Sequence, residues 1–60
     1  MKVTKTVCRD WVEYKVYPNE SSKALTFYVD KDGINSDVST RKWIWKNKDK
    51  YEEILQRILG

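Results

Sequence analysis

Histidine is absent from these 60 residues, cysteine and proline occur once each, and glycine twice. Without histidine the chain lacks the commonest acid–base group at neutral pH and the commonest metal ligand. Cys8 stands alone, so it can form neither an intrachain disulfide nor, without histidine, a zinc site. No activating base accompanies it, and it reads as a small apolar residue rather than a nucleophile. Two glycines cannot build a loop that cradles phosphates. No apolar run approaches the ~18–20 residues of a membrane span. Residues 1–8 also lack the apolar stretch of a secretion signal. These gaps lead us to expect a non-enzymatic, cytoplasmic protein with no cofactor, no metal, no membrane partner and no small-molecule substrate.

What is present is concentrated. Residues 1–40 carry six basic and six acidic groups and are neutral. Residues 41–50, Arg-Lys-Trp-Ile-Trp-Lys-Asn-Lys-Asp-Lys, carry five basic groups and one acid, a local charge of +4. Residues 51–60 return −1, giving the net +3 of the whole chain. A basic run interleaved with tryptophan is the local signature of an anionic partner.

A chain this short buries only about 60% of the surface its unfolded form exposes. It is expected to be one domain over residues 1–60, with no room for both a core and a deep catalytic cleft. Its eight aromatics, each burying roughly 150–250 Å², can take the place of the disulfides or metal that many mini-domains need.

Residues 11–17 alternate, Val12, Tyr14 and Val16 against Trp11, Glu13, Lys15 and Tyr17, which predicts a strand with two unlike faces. Pro18 to Ser22 form a turn cluster. Leu25 to Val29 predict a second strand, closed by an Asp30-Lys31-Asp32-Gly33 turn. That turn echoes a calcium loop only in part. With Gly33 at the sixth loop position, the first and twelfth fall on Tyr28 and Ser39, which cannot serve. Asn19-Glu20-Ser21 matches the glycosylation triplet, read here as coincidence. Val38 to Lys46 is expected to be a third strand, with Trp43 and Trp45 on one side and Lys42, Ile44 and Lys46 on the other. Residues 1–8 are ambiguous; a bulge near Cys8-Arg9-Asp10 would bring Val3 and Val7 to the Val12 side. From Tyr51 the period changes. Tyr51, Ile54, Leu55, Ile58 and Leu59 make one apolar helical stripe. Asn47 or Asp49 can cap it, Asp49 and Glu52 have capping-box spacing, and Glu53 and Arg57 are an i,i+4 pair.

The expected fold is therefore α+β: a three-stranded antiparallel sheet with a C-terminal helix on one face, in the order β-β-β-α. One helix cannot cover both faces of such a sheet. The uncovered face would carry Trp11, Lys15, Tyr17, Tyr28, Lys42, Ile44 and Lys46, with Lys48 and Lys50 at the helix start. A one-residue slip in the third strand would instead expose Arg41, Trp43 and Trp45.

Two readings follow. In the first, the basic and aromatic sheet face and the helix N-terminus bind nucleic acid, lysines on phosphates and aromatics on bases. In the second, the exposed aromatics form a protein interface, as in a homodimer or a small inhibitor of the phage or mobile-element type. The β-β-β-α order is similar to that of the arm-binding domains of phage-type tyrosine recombinases, which implies a sheet placed on DNA. It is also similar to chromodomains, with Phe27-Tyr28-Val29 before the Gly33 turn and a closing helix. Asp30 and Asp32 stand where that family favours basic or aromatic residues.

Overall fold

A computed structural model of the chain describes residues 1–18 and 23–60. The expectations for Asn19, Glu20, Ser21 and Ser22 lie outside the described residues. The class is α+β with an antiparallel sheet, as expected, but the described residues form four strands and two helices. The elements are β1 (Lys2–Val7), β2 (Val12–Tyr17), β3 (Leu25–Asp30), β4 (Gly33–Ser36), α1 (Val38–Lys46) and α2 (Lys48–Leu59). The strands form a meander in the order β1-β2-β3-β4.

β1 resolves the ambiguity of the first residues. It pairs with β2 so that Val3 faces Val16 and Val7 faces Val12. The valines thus reach the Val12 side through a hairpin turn over Cys8–Trp11, closed by the Cys8 amide donating to the Trp11 carbonyl at 2.8 Å, rather than through a bulge within one strand. The β3–β4 turn forms where Asp30-Lys31-Asp32-Gly33 predicts it. The Asp32 amide donates to Asp30 Oδ1 at 2.8 Å, and Gly33 takes a φ of +130°, which favours glycine.

The expected third strand is corrected. Ile34 to Ser36 belong to β4, and Val38–Lys46 is a helix. Its composition is β-like, but Asp37 stands at the N-cap and its Oδ1 accepts from the Thr40 amide at 2.8 Å, which starts a helix rather than a strand. Thr40, Trp43, Ile44 and Asn47 then recur at helical spacing and turn inward. The expected β-β-β-α order, and the two topological likenesses built on it, give way to ββββαα.

Antiparallel partners share a face, so the register aligns Val16 with Leu25 and Tyr14 with Phe27 on one side. α2 lays its stripe there. Val16, Leu25, Phe27 and Ile54 form the buried core, ringed by Val3, Tyr14, Ile34, Trp43, Ile44, Tyr51 and Ile58. Tyr51 stacks on Phe27 with ring centroids 6.1 Å apart. Of the predicted stripe, Leu55 is half-buried, while Leu59 is exposed. Each apolar side chain fully buried contributes roughly 1.5–3 kcal/mol, so four of them make a thin core.

α1 is fastened to the edge of β3. The register with β4 ends at Phe27, and the next amide, that of Thr26, donates to Thr40 Oγ1 at 3.0 Å. The Thr40 hydroxyl takes the place of a further β4 residue in satisfying the strand edge. Thr40→Val, nearly the same shape, is therefore expected to leave a buried amide unpaired at a cost of about 1–3 kcal/mol. Urea unfolding followed by circular dichroism measures this. An unchanged midpoint would show that the strand edge does not depend on the helix.

The same threonine acts on the cap. Asp37 has its carboxyl below the ordinary range, chiefly through the Thr40 hydroxyl. The Thr40 amide, the Ser39 hydroxyl and the Arg41 charge lower it further, and slight burial opposes them. A carboxyl with a folded pKa below its unfolded value stabilises the fold above the unfolded value of about 3.9, and that contribution is lost as pH drops through the folded value. Asp37→Ala is expected to cost about 1 kcal/mol at neutral pH. The gap between variant and parent should narrow as pH falls below about 3.9. A gap constant from neutral to acid pH would remove the charge from this account.

Candidate nucleic-acid interface

Because residues 38–46 are helical, the proposed sheet-borne patch is divided. Lys15, Tyr17 and Tyr28 do lie on the side of the sheet opposite the core, since Lys15 pairs with Thr26 and Tyr28 with Glu13. Lys42, Ile44 and Lys46 do not join them. They sit on α1, and Ile44 turns inward against the core. Trp11 lies in the β1–β2 connection, exposed but outside the strands. Lys48 and Lys50 occupy the first turn of α2.

The two surfaces differ in charge. The uncovered sheet face carries Lys2 and Lys15 against Glu13 and Asp30, and the Lys15 ammonium approaches the Glu13 carboxylate at 4.0 Å. It is balanced and offers a polyanion little. The helical corner is not balanced. With Thr40, Trp43, Ile44 and Asn47 turned inward, the 3.6-residue period turns Val38, Arg41, Lys42 and Trp45 outward. Trp45 is 74% exposed, the most exposed of the large apolar side chains among the described residues. The expectation that both Trp43 and Trp45 pack inside is thus half corrected. Trp43 packs against the core, and Trp45, two residues on, points away from it.

The elbow between the helices is set by Asn47. Its amide donates to the Ile44 carbonyl at 3.1 Å, and its side-chain Nδ2 donates to the Trp43 carbonyl at 2.9 Å. The side chain therefore closes the end of α1 and makes no cap bond to α2. The Asp49–Glu52 capping box does not form, because Asp49 already lies within α2. Nor is Glu53–Arg57 among the ion pairs of the described residues; Lys15–Glu13 is the one within 4.0 Å. At the elbow an open concavity of about 420 Å³ is lined by Trp45, Lys46, Asn47, Lys48, Asp49 and Lys50. Lys46, Lys48 and Lys50 face a single acid there, and Arg41 and Lys42 lie one turn back along α1.

Among the described residues, no group of three or more histidine, cysteine or acidic side chains is placed to hold a metal ion. Among the same residues, no helix is long and apolar enough to cross a membrane. The strand-based reading puts Lys42, Ile44 and Lys46 on the wrong surface and leaves Arg41 and Trp45 out of the site. The signal that finds them is Asp37-Val-Ser-Thr40, an N-cap spacing, followed by inward positions at three- and four-residue intervals. The chain matches no family model, no curated protein and no solved structure.

Proposed function

We propose that this chain is a non-enzymatic binding module that contacts nucleic acid through the outward side of α1 and its elbow with α2. The observation that carries the reading is the coincidence of a largely solvent-exposed Trp45 with five of the chain's twelve basic groups and one acid within ten residues. Charge supplies attraction to phosphates, and an aromatic ring supplies a contact to sugar or base. The balanced sheet face takes no part in it.

Salt dependence tests it. Four or five phosphate contacts give a slope of log affinity against log salt of about −3 to −4.5. A slope near zero, or no binding at low salt, would overturn the reading. In the same assay Lys15→Glu should change affinity less than Lys46→Glu does, which separates the elbow from the sheet.

A second reading is favoured by the sheet face itself. It is uncovered, electrically balanced, and presents Tyr17 and Tyr28 half-buried beside it, a composition suited to a protein partner or a second copy. Sedimentation that rises with concentration, is indifferent to salt and is weakened by Tyr28→Ala supports that reading. A constant monomer mass up to high concentration removes the homodimer.

A further inference from the structure

Trp45 leaves a large aromatic surface in water, and its surroundings indicate what covers it. Arg41 and Lys42 precede it by four and three residues, so on a helix they neighbour it on one side. Lys46 follows it, and Lys48 lies across the elbow. Three anionic surfaces can be compared. A lipid surface needs a broad apolar face on the helix. On α1 that face is already turned into the core, and the outward side offers only Val38 and Trp45, about 10.5 Å apart along the axis. A nucleic-acid duplex keeps its bases stacked on one another, so an indole reaches a base face only by prising a step apart, at an energetic cost. A single strand presents open base faces flanked by phosphates. This is the pattern of an aromatic platform with cations on either side.

We infer that the elbow takes single-stranded nucleic acid, with an unpaired base stacked on Trp45 and the adjoining phosphates held by Arg41, Lys42, Lys46 and Lys48. The inference rests on the proposed elbow reading and adds to it the class of strand. The concavity beside Trp45, about 420 Å³ and open to solvent, leaves the ring accessible from that side.

Fluorescence anisotropy of a labelled oligothymidylate of about 12 nucleotides, compared with a duplex of the same length, tests it on the full chain. The single strand should bind at least about tenfold more tightly, and Trp45→Ala should weaken it by roughly 5- to 150-fold, the range of one stacked base. The same variant should weaken duplex binding by clearly less than it weakens single-strand binding. Trp45→Phe should keep most of the single-strand affinity. Tryptophan fluorescence should be quenched by the oligothymidylate in the parent and much less in Trp45→Ala. Since Trp45 is outside the core cluster, circular dichroism of Trp45→Ala should match the parent. Equal affinity for the two forms, or an equal loss from both in Trp45→Ala, would overturn the single-strand inference while leaving the elbow reading standing. Binding to neither form overturns both, and binding only to phosphatidylserine vesicles assigns the elbow to a lipid surface and overturns both as well.

Discussion

Phe27→Ala is expected to remove half or more of the stability of the fold. Phe27 is 1% exposed and lies on β3, flanked by Tyr14 on one side and Ser36 on the other. It joins Val16, Leu25 and Ile54 in the core and stacks on Tyr51. Truncating a buried phenylalanine costs about 3–5 kcal/mol, because the transfer term is joined by the cavity left behind. A 60-residue domain has about 3–9 kcal/mol in all, so the loss is a large share of the total. With Phe27 truncated, Val16, Leu25 and Ile54 are the buried apolar side chains that remain, and they leave little to close over the gap. Urea unfolding followed by circular dichroism reads the effect. Tyr51→Ala, at the rim of the same stack, should cost less. A loss under about 1 kcal/mol for Phe27→Ala would mean that the core is not centred on the sheet and α2.

Lys46→Glu together with Lys48→Glu is expected to reduce nucleic-acid affinity roughly a hundredfold at low salt. Opposite charges about 4 Å apart in water attract by about 1 kcal/mol, and reversal changes that by about twice as much. Two reversals, partly screened, come to about 3 kcal/mol. They also take the charge of residues 41–50 from +4 to zero, so the long-range attraction is lost with the contacts. The fold should survive, since both lysines are exposed. Glutamate in the first turn of α2 favours that helix, and glutamate in the last turn of α1 disfavours its own, each by about 0.3–1 kcal/mol, so the effects offset. Unchanged affinity in a folded double variant would remove the elbow as the contact surface.

The elements that the sequence placed well are those whose side chains report their environment directly. Val12 to Tyr17 alternates because one side of β2 meets the core and the other does not. Tyr51, Ile54 and Ile58 repeat at helical spacing because one side of α2 meets the sheet. Asp30 to Gly33 carries turn chemistry that depends on neighbours only. Residues 38–46 invite a strand reading because Trp43 and Trp45 share a side at a period of two, whereas at a period of 3.6 Trp43 sides with Ile44 and Trp45 with Val38, and their β-branched and aromatic character favours the strand. Thr40 and Asn47 were the discriminating residues. Both are polar, so a search for apolar periodicity passes over them, yet both face inward because the backbone needs their hydrogen bonds. β1 was hidden by a different cause: most of its residues are exposed, so its pattern carries little imprint of a buried face.

The candidate site divides the same way. That five cations and two tryptophans lie within ten residues is a property of the chain in any conformation, as is the neutrality of residues 1–40. The absence of histidine and the single cysteine are equally independent of folding. Whether Trp43 or Trp45 meets water, and whether Lys42 keeps company with Lys15 or with Lys46, depends on the backbone period of residues 38–46. That period was decided by the Asp37 cap, with the Thr40 hydroxyl giving the Thr26 amide the acceptor that a longer β4 would otherwise have supplied. Local composition fixes charge, because charge does not depend on geometry. Tertiary contacts fix which side chains share a surface, because a strand rotates successive residues by half a turn and a helix by little more than a quarter.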